Sequence, residues 1–189
     1  EEQLKNINMK KLLLLLITTF TLSCCNKDDN PFSSSDQLPP ETQTGANTAG
    51  CLVGGQVFLP HQRGLNAALL CNYEFIDGKF YFNLVINDNR ETIGKTVSVR
   101  TGEISLATNS IYPLNISNTI FQPDFIGGGG IYGIGASNYF YTNSIKTGEL
   151  KITRLDLSNS IISGTFWFDA VNSAGETVQI RSGRFDMHY

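Results

Sequence analysis

Few side chains in this chain are spaced so that they could do chemistry together. The two histidines, His61 and His188, are far apart, and His188 sits at a polar position of an alternating terminal segment. Both are therefore expected at the surface rather than in a catalytic set. Asp169 and Glu176 flank a turn and invite comparison with the carboxylate pair of a glycosidase. Asp169 has the parity of a solvent-facing strand position, so a surface role is expected for the pair. Residues 87–91, Asn-Asp-Asn-Arg-Glu, are rich in oxygen ligands but lack the spacing of a calcium loop, and read as turn chemistry. Residues 125–135, FIGGGGIYGIG, are rich in glycine. A dinucleotide loop would leave a parallel strand and enter a helix, a context the sequence does not supply, so a flexible or strained loop between strands is expected. The sequence has no Gly-x-Ser-x-Gly elbow, no His-Glu-x-x-His pair and no phosphate loop. No catalytic, cofactor-binding or metal-ligating residue is assigned, and a non-enzymatic protein is expected.

Two further groups of residues could bind. Tyr132, Tyr139, Tyr141 and Trp167, with Phe140 among them, could form an aromatic face that stacks on sugar rings or peptide side chains, or could fill the core and cover a sheet edge. Cys51 and Cys71 could close a disulfide loop worth roughly 3 kcal/mol in the chain-entropy model, or be buried thiols in neighbouring strands. Neither cysteine has a second Cys or a His at metal-ligand spacing. With 14 basic against 17 acidic residues and a net charge of -3, the chain offers no basic field for a phosphate backbone, so nucleic acid is not an expected partner.

The elements that carry these residues start with an export signal. Met9, Lys10 and Lys11 form a charged start, and an apolar run follows to Leu22. Residues 1–8 read as an upstream extension and residues 9–24 as the signal peptide. The stretch Leu22-Ser23-Cys24-Cys25 resembles a lipobox, in which a cysteine is acylated and becomes the mature N-terminus. Bacteroidetes-type surface lipoproteins follow that cysteine with any residue, then Lys, then two acidic residues. Counting from Cys25 gives Asn26, Lys27, Asp28 and Asp29 in register, whereas Cys24, the alternative, misses by one. The resemblance implies lipidation at Cys25, an export signal in Lys27, Asp28 and Asp29, and an outer-membrane address at the cell surface. Acyl chains, at about 0.8 kcal/mol per buried CH2, would hold the chain on a membrane without a spanning helix. Residues 25–48, polar and rich in Ser, Pro and Thr, read as a flexible tether.

Residues 49–189 read as a single β domain. Asp77-Gly78 joins two alternating runs, Leu69, Cys71, Tyr73 and Phe75 before the turn and Phe80, Phe82, Leu84 and Ile86 after it, a strong hairpin signal. Gly54-Gly55 predicts a second hairpin. Val97 and Val99 alternate with polar neighbours, which predicts a strand buried on one side only. Leu150 and Ile152 are out of phase with Leu155 and Leu157, which predicts a bulge near Thr153-Arg154. Phe166, Phe168 and Ala170 share a face opposite Trp167, and a turn over residues 172–175 leads to Val178 and Ile180. Past the signal peptide no window sustains a helical period, so the fold is expected to be all-β, an antiparallel β-sandwich or a partly closed β-barrel.

The stretches LPPETQTGANTAGCLVGG and GELKITRLDLSNSIISGTFWFDAVNSAGETVQIRSGRFD resemble an uncharacterised family of Bacteroidetes lipoproteins, in which a Thr-Gly-Ala-Asn-Thr stretch introduces the first strand and an Ile-Ser-Gly-Thr-Phe hairpin closes the domain. The resemblance implies architecture and location, and no activity. The expected function is that of a lipid-anchored surface or outer-membrane lipoprotein with a non-catalytic β domain of unassigned role, for which binding an extracellular ligand (a glycan) or a partner protein is one option, without a cofactor. Two alternatives stand beside it: a hydrolase acting on extracellular glycan or peptide, and an accessory scaffold of an outer-membrane assembly.

Overall fold

The structure, a computed structural model, describes residues 37–117 and 125–189. The expectations placed on residues 1–36 lie outside these, including Cys24, Cys25, Lys27, Asp28 and Asp29. The described chain is all-β and antiparallel. Its strands are β1 (Thr48–Val53), β2 (Gln56–Phe58), β3 (Leu69–Ile76), β4 (Lys79–Asp88), β5 (Lys95–Gly102), β6 (Ser110–Leu114), β7 (Gly127–Ile134), β8 (Asn138–Tyr141), β9 (Gly148–Asp156), β10 (Ile161–Val171) and β11 (Thr177–His188). Both expected hairpins form. Val53 pairs with Gln56 and Ile76 with Lys79, leaving two-residue turns whose four residues, Gly54, Gly55, Asp77 and Gly78, all have positive φ. That is the turn geometry whose twist matches the strands it joins, and glycine adopts it without a Cβ clash.

The strands hydrogen-bond in the order β2-β1-β11-β10-β8-β7-β5-β4-β3, with β9 on the free part of β10 and β6 beyond β9. The path is open and does not close into a barrel. It folds over at β10, which pairs with β9 from Ile161 to Phe168 and with β8 only at Val171. One layer thus holds β6, β9, β10, β11, β1 and β2, and the other β8, β7, β5, β4 and β3. Their inward residues meet in one core. Phe82 packs against Phe185 at 5.7 Å, Phe58 meets Tyr132 edge-on at 6.5 Å, and Tyr73 meets Tyr189 at 5.7 Å. Leu84, Ile86, Val97, Val99, Ile152, Ile162 and Ile180 fill the space between. Burying such side chains is worth about 1.5–3 kcal/mol each. β6 pairs only with β9, and so it tolerates Pro113, which has no N–H to donate. The bulge expected in β9 is at Thr153: Ser163 pairs with Arg154 and Gly164 with Ile152.

Two expectations are corrected. The glycine-rich segment is not a loop but the strand β7, which lies between β5 and β8. Its glycines serve close approach. A Cβ at Gly130 would stand 2.7 Å from the Phe168 ring of the facing layer, and one at Gly128 would strike the Pro113 carbonyl. The outward side of β5 is also not simply solvated. Ser98 is buried there, and it donates to Asn83 Oδ1 at 3.3 Å.

The stretch assigned to the tether also differs. Asp186 of β11 is fully buried, and its carboxylate accepts from Thr42 Oγ1 (2.7 Å), Thr44 N (2.9 Å), Thr44 Oγ1 (3.2 Å), Gly45 N (2.8 Å), Ala46 N (3.2 Å) and Ser163 Oγ (2.8 Å). Asn47 Oδ1 accepts from His188 N at 3.0 Å. Residues 42–47 are therefore fastened to the β domain, and the packed body begins ahead of residue 49. The Thr-Gly-Ala-Asn stretch has a physical role here. Gly45, at φ 77°, lies under the His188 ring where a side chain would collide, and its N–H turns onto the carboxylate.

Candidate ligand-binding face

In the second layer, inward parity belongs to Tyr73, Phe82, Val97, Val99 and Tyr132, so the alternate residues face outward. The register sets these outward residues in rows across the strands. Asn72, Asn83, Arg100 and Gly129 form one row, and Glu74, Tyr81, Gly102 and Gly127 form the next. Adjacent strands lie about 4.8 Å apart, so each row presents closely spaced side chains. A cleft of about 250 Å³ lies here, lined by Asn72, Glu74, Tyr81, Asn83, Arg100 and Phe125 among others.

The absence of a side chain at Gly102 shapes the cleft. A Cβ at this position would overlap the Phe125 carbonyl and press on its ring, so only glycine lets Phe125 lie across the face. The buried Phe125 ring in turn carries Arg100, whose guanidinium carbon is 5.1 Å from the ring centroid. Burial lowers the Arg100 pKa. Among the described residues no carboxylate lies within ion-pair distance of Arg100. The cleft thus combines two amides, a carboxylate, a phenol and a half-buried guanidinium held on an aromatic ring. The arrangement can donate and accept hydrogen bonds across a flat surface and can bind an anion.

The aromatic residues that could form one face or fill the core are divided between the two. Tyr132 is only 6% exposed and belongs to the core, packed on Phe58 and Phe140. It is removed from the candidate face, because it pairs with inward Val97. Phe140 is also core. Tyr139 and Tyr141 do face outward, stacked at 6.2 Å, and the Tyr139 ring covers Gly133. Trp167 is 38% exposed, as its parity requires, but lies on the other layer. Its indole N–H donates to Glu149 Oε2 at 3.2 Å, and Arg181 sits 5.4 Å over its ring.

The remaining candidates are placed as follows. Cys51 and Cys71 are free thiols, one in β1 and the other in β3, on different layers, so the disulfide alternative is not the arrangement found. Burial pushes both thiols up to about 12. Asp169 is taken up by Arg181 at 2.5 Å, and Glu176 accepts from the Asn172 amide at 2.7 Å. Asp88 is bound by Arg90 at 2.7 Å and lies 3.7 Å from His61 Nδ1, which is 3.0 Å from the Leu59 carbonyl. Burial would raise the Asp88 pKa, but the bonds and charge of Arg90 and the charge of His61 bring it below the usual range. Residues 87–91 therefore hold an internal ion pair. Among the described residues no group of three or more His, Cys, Asp or Glu is placed to hold a metal ion.

No local sequence pattern sets the cleft residues apart. The available signal was the outward parity of Asn72, Glu74, Asn83 and Arg100, which reads as ordinary surface until the register aligns them. The contribution of Phe125 depends on its lying over Gly102, which no local pattern shows.

The chain is similar over residues 103–187 to a family described as a domain of unknown function (DUF6252). No curated protein and no solved structure matches the chain. The matched span runs from ahead of β6 into β11 and includes Phe125, while Asn72, Glu74, Tyr81, Asn83 and Arg100 precede it.

Proposed function

We propose that the protein is a lipid-anchored, surface-exposed lipoprotein whose β domain binds an extracellular ligand on the outward side of β3, β4 and β5. The lipid is carried by Cys25, with Cys24 as the alternative, and Lys27, Asp28 and Asp29 direct export. The anchor rests on the lipobox-like sequence, and the binding role rests on the cleft. The cleft gathers recognition groups, whereas Asp169 and Glu176, the carboxylates that a glycosidase reading would use, are engaged by Arg181 and Asn172.

The binding role is tested by recording amide spectra of the isotopically labelled chain, with Cys24 and Cys25 replaced by Ser, against panels of oligosaccharides and peptides. The expected result is that signals from residues 72–83 and 100 shift while those around Trp167 stay in place. Shifts confined to Trp167 and Glu149, or no shift with any compound, overturn this reading. Lipidation is tested by labelled palmitate, which Cys25→Ala should abolish and Cys24→Ala should leave intact.

A further inference from the structure

We propose that the ligand of this cleft is an acidic saccharide, whose carboxylate is received by Arg100 while its ring hydroxyls bond to Asn72, Asn83 and Glu74. The inference rests on the binding role proposed above. Its starting point is the state of Arg100. A guanidinium that is half-buried, stacked on Phe125 and without a carboxylate among the described residues keeps its planar fork oriented but unused. Such a fork matches a carboxylate bidentately, and aromatic stacking limits the side-chain freedom that binding must remove. The rest of the cleft selects what carries the carboxylate. Asn72 offers donors and an acceptor, Asn83 offers its amide N–H groups while its oxygen already accepts from Ser98, and Glu74 accepts, so together they complement hydroxyl groups, which both donate and accept.

A peptide is matched less well. β4 is paired along both edges at this point, with Asn83 opposite Asn72 on one side and Arg100 on the other. Among the described strands the edge left open beside the cleft is that of β3, on the side away from Arg100, so a peptide main chain adding there would lie about three strand spacings from the guanidinium. Glu74 is on β3 and Arg100 on β5, in adjacent rows and with backbones two strand spacings, about 10 Å, apart, and no ion pair joins them. A ligand with its carboxylate at Arg100 can thus present hydroxyls to Glu74 without bringing the two anions together.

The test uses the full chain with Cys24 and Cys25 replaced by Ser, titrated calorimetrically with tetragalacturonate and with its methyl ester, which keeps the rings and removes the charge. Tetragalacturonate is expected to bind about 10- to 100-fold more tightly than the ester, the range of a charge-assisted hydrogen-bonded contact. Arg100→Gln should bring the two ligands to the same weak affinity, and Arg100→Lys, which keeps the charge and loses the fork, should fall between. Melting curves for each variant establish that it is folded. Equal binding of acid and ester by the native chain, weakened by an Asn72→Ala/Asn83→Ala double variant, overturns the acidic specificity and leaves the cleft as the site. Binding that the double variant does not weaken, or tetraglutamate binding more tightly than either saccharide, overturns the proposal, and in the first case the binding role of the cleft as well.

Discussion

Thr42 donates its hydroxyl to Asp186 at 2.7 Å across 144 positions of sequence. This contact and its neighbours fasten the chain ahead of β1 to the last strand, where a membrane anchor at Cys25 would transmit any force to the domain. Asp186→Asn keeps the side-chain size but replaces one acceptor oxygen with a donor that faces other donors. The expected cost is about 3 kcal/mol, read as a lower denaturant midpoint. An unchanged midpoint contradicts the fastening.

The same carboxylate makes stability depend on pH. Burial alone would raise the Asp186 pKa, but bonds from Thr42, Thr44, Gly45 and Ser163 outweigh it and hold the carboxyl well below the usual range. A depressed folded pKa contributes stability that is fully present above the unfolded value of about 3.9 and is lost as pH falls toward the folded value. The native chain should therefore lose melting temperature more steeply than Asp186→Asn below about pH 4. Parallel curves for the two proteins contradict this.

Cys51 and Cys71 should be slow to react. With both thiols raised to about 12 by burial, little thiolate is present at pH 8, and alkylation of the folded protein should lag far behind that of the denatured protein. An intact mass lower by the two hydrogens of a disulfide, in protein recovered from cells, contradicts the free-thiol arrangement.

Gly130 lets the two layers approach. Gly130→Ala places a methyl 2.7 Å from the Phe168 ring and should cost about 1–3 kcal/mol by overpacking. Phe168→Leu in the same chain should recover part of the loss, measured as a double-mutant cycle. Additive losses contradict contact across the layers.

These cases show which features local pattern makes legible. Hairpins at Gly54-Gly55 and Asp77-Gly78, the inward parity of Phe82 and Phe168 and the Thr153 bulge follow from local turn chemistry and a period of two. The glycines of β7 look like a loop in sequence because their reason lies across the core, in Phe168 and Pro113. Tyr132, next to those glycines, is open from sequence between a binding face and the core, and its pairing with Val97 turns it inward. Asp186 reads as one more polar residue near a chain end until the Thr-Gly-Ala-Asn stretch is seen around it. The cleft was illegible for a related cause, since Arg100 and Asn72 become neighbours only through the register of β3, β4 and β5.

The central claim, a domain displayed outside the cell on a lipid, is tested most directly by protease treatment of intact cells. The native chain is compared with a variant in which Lys27, Asp28 and Asp29 are alanines. The account predicts that the native domain is cleaved from the surface while the variant is protected. Protection of both would place the domain inside the outer membrane, contradicting surface display and removing extracellular saccharides as the ligands to test.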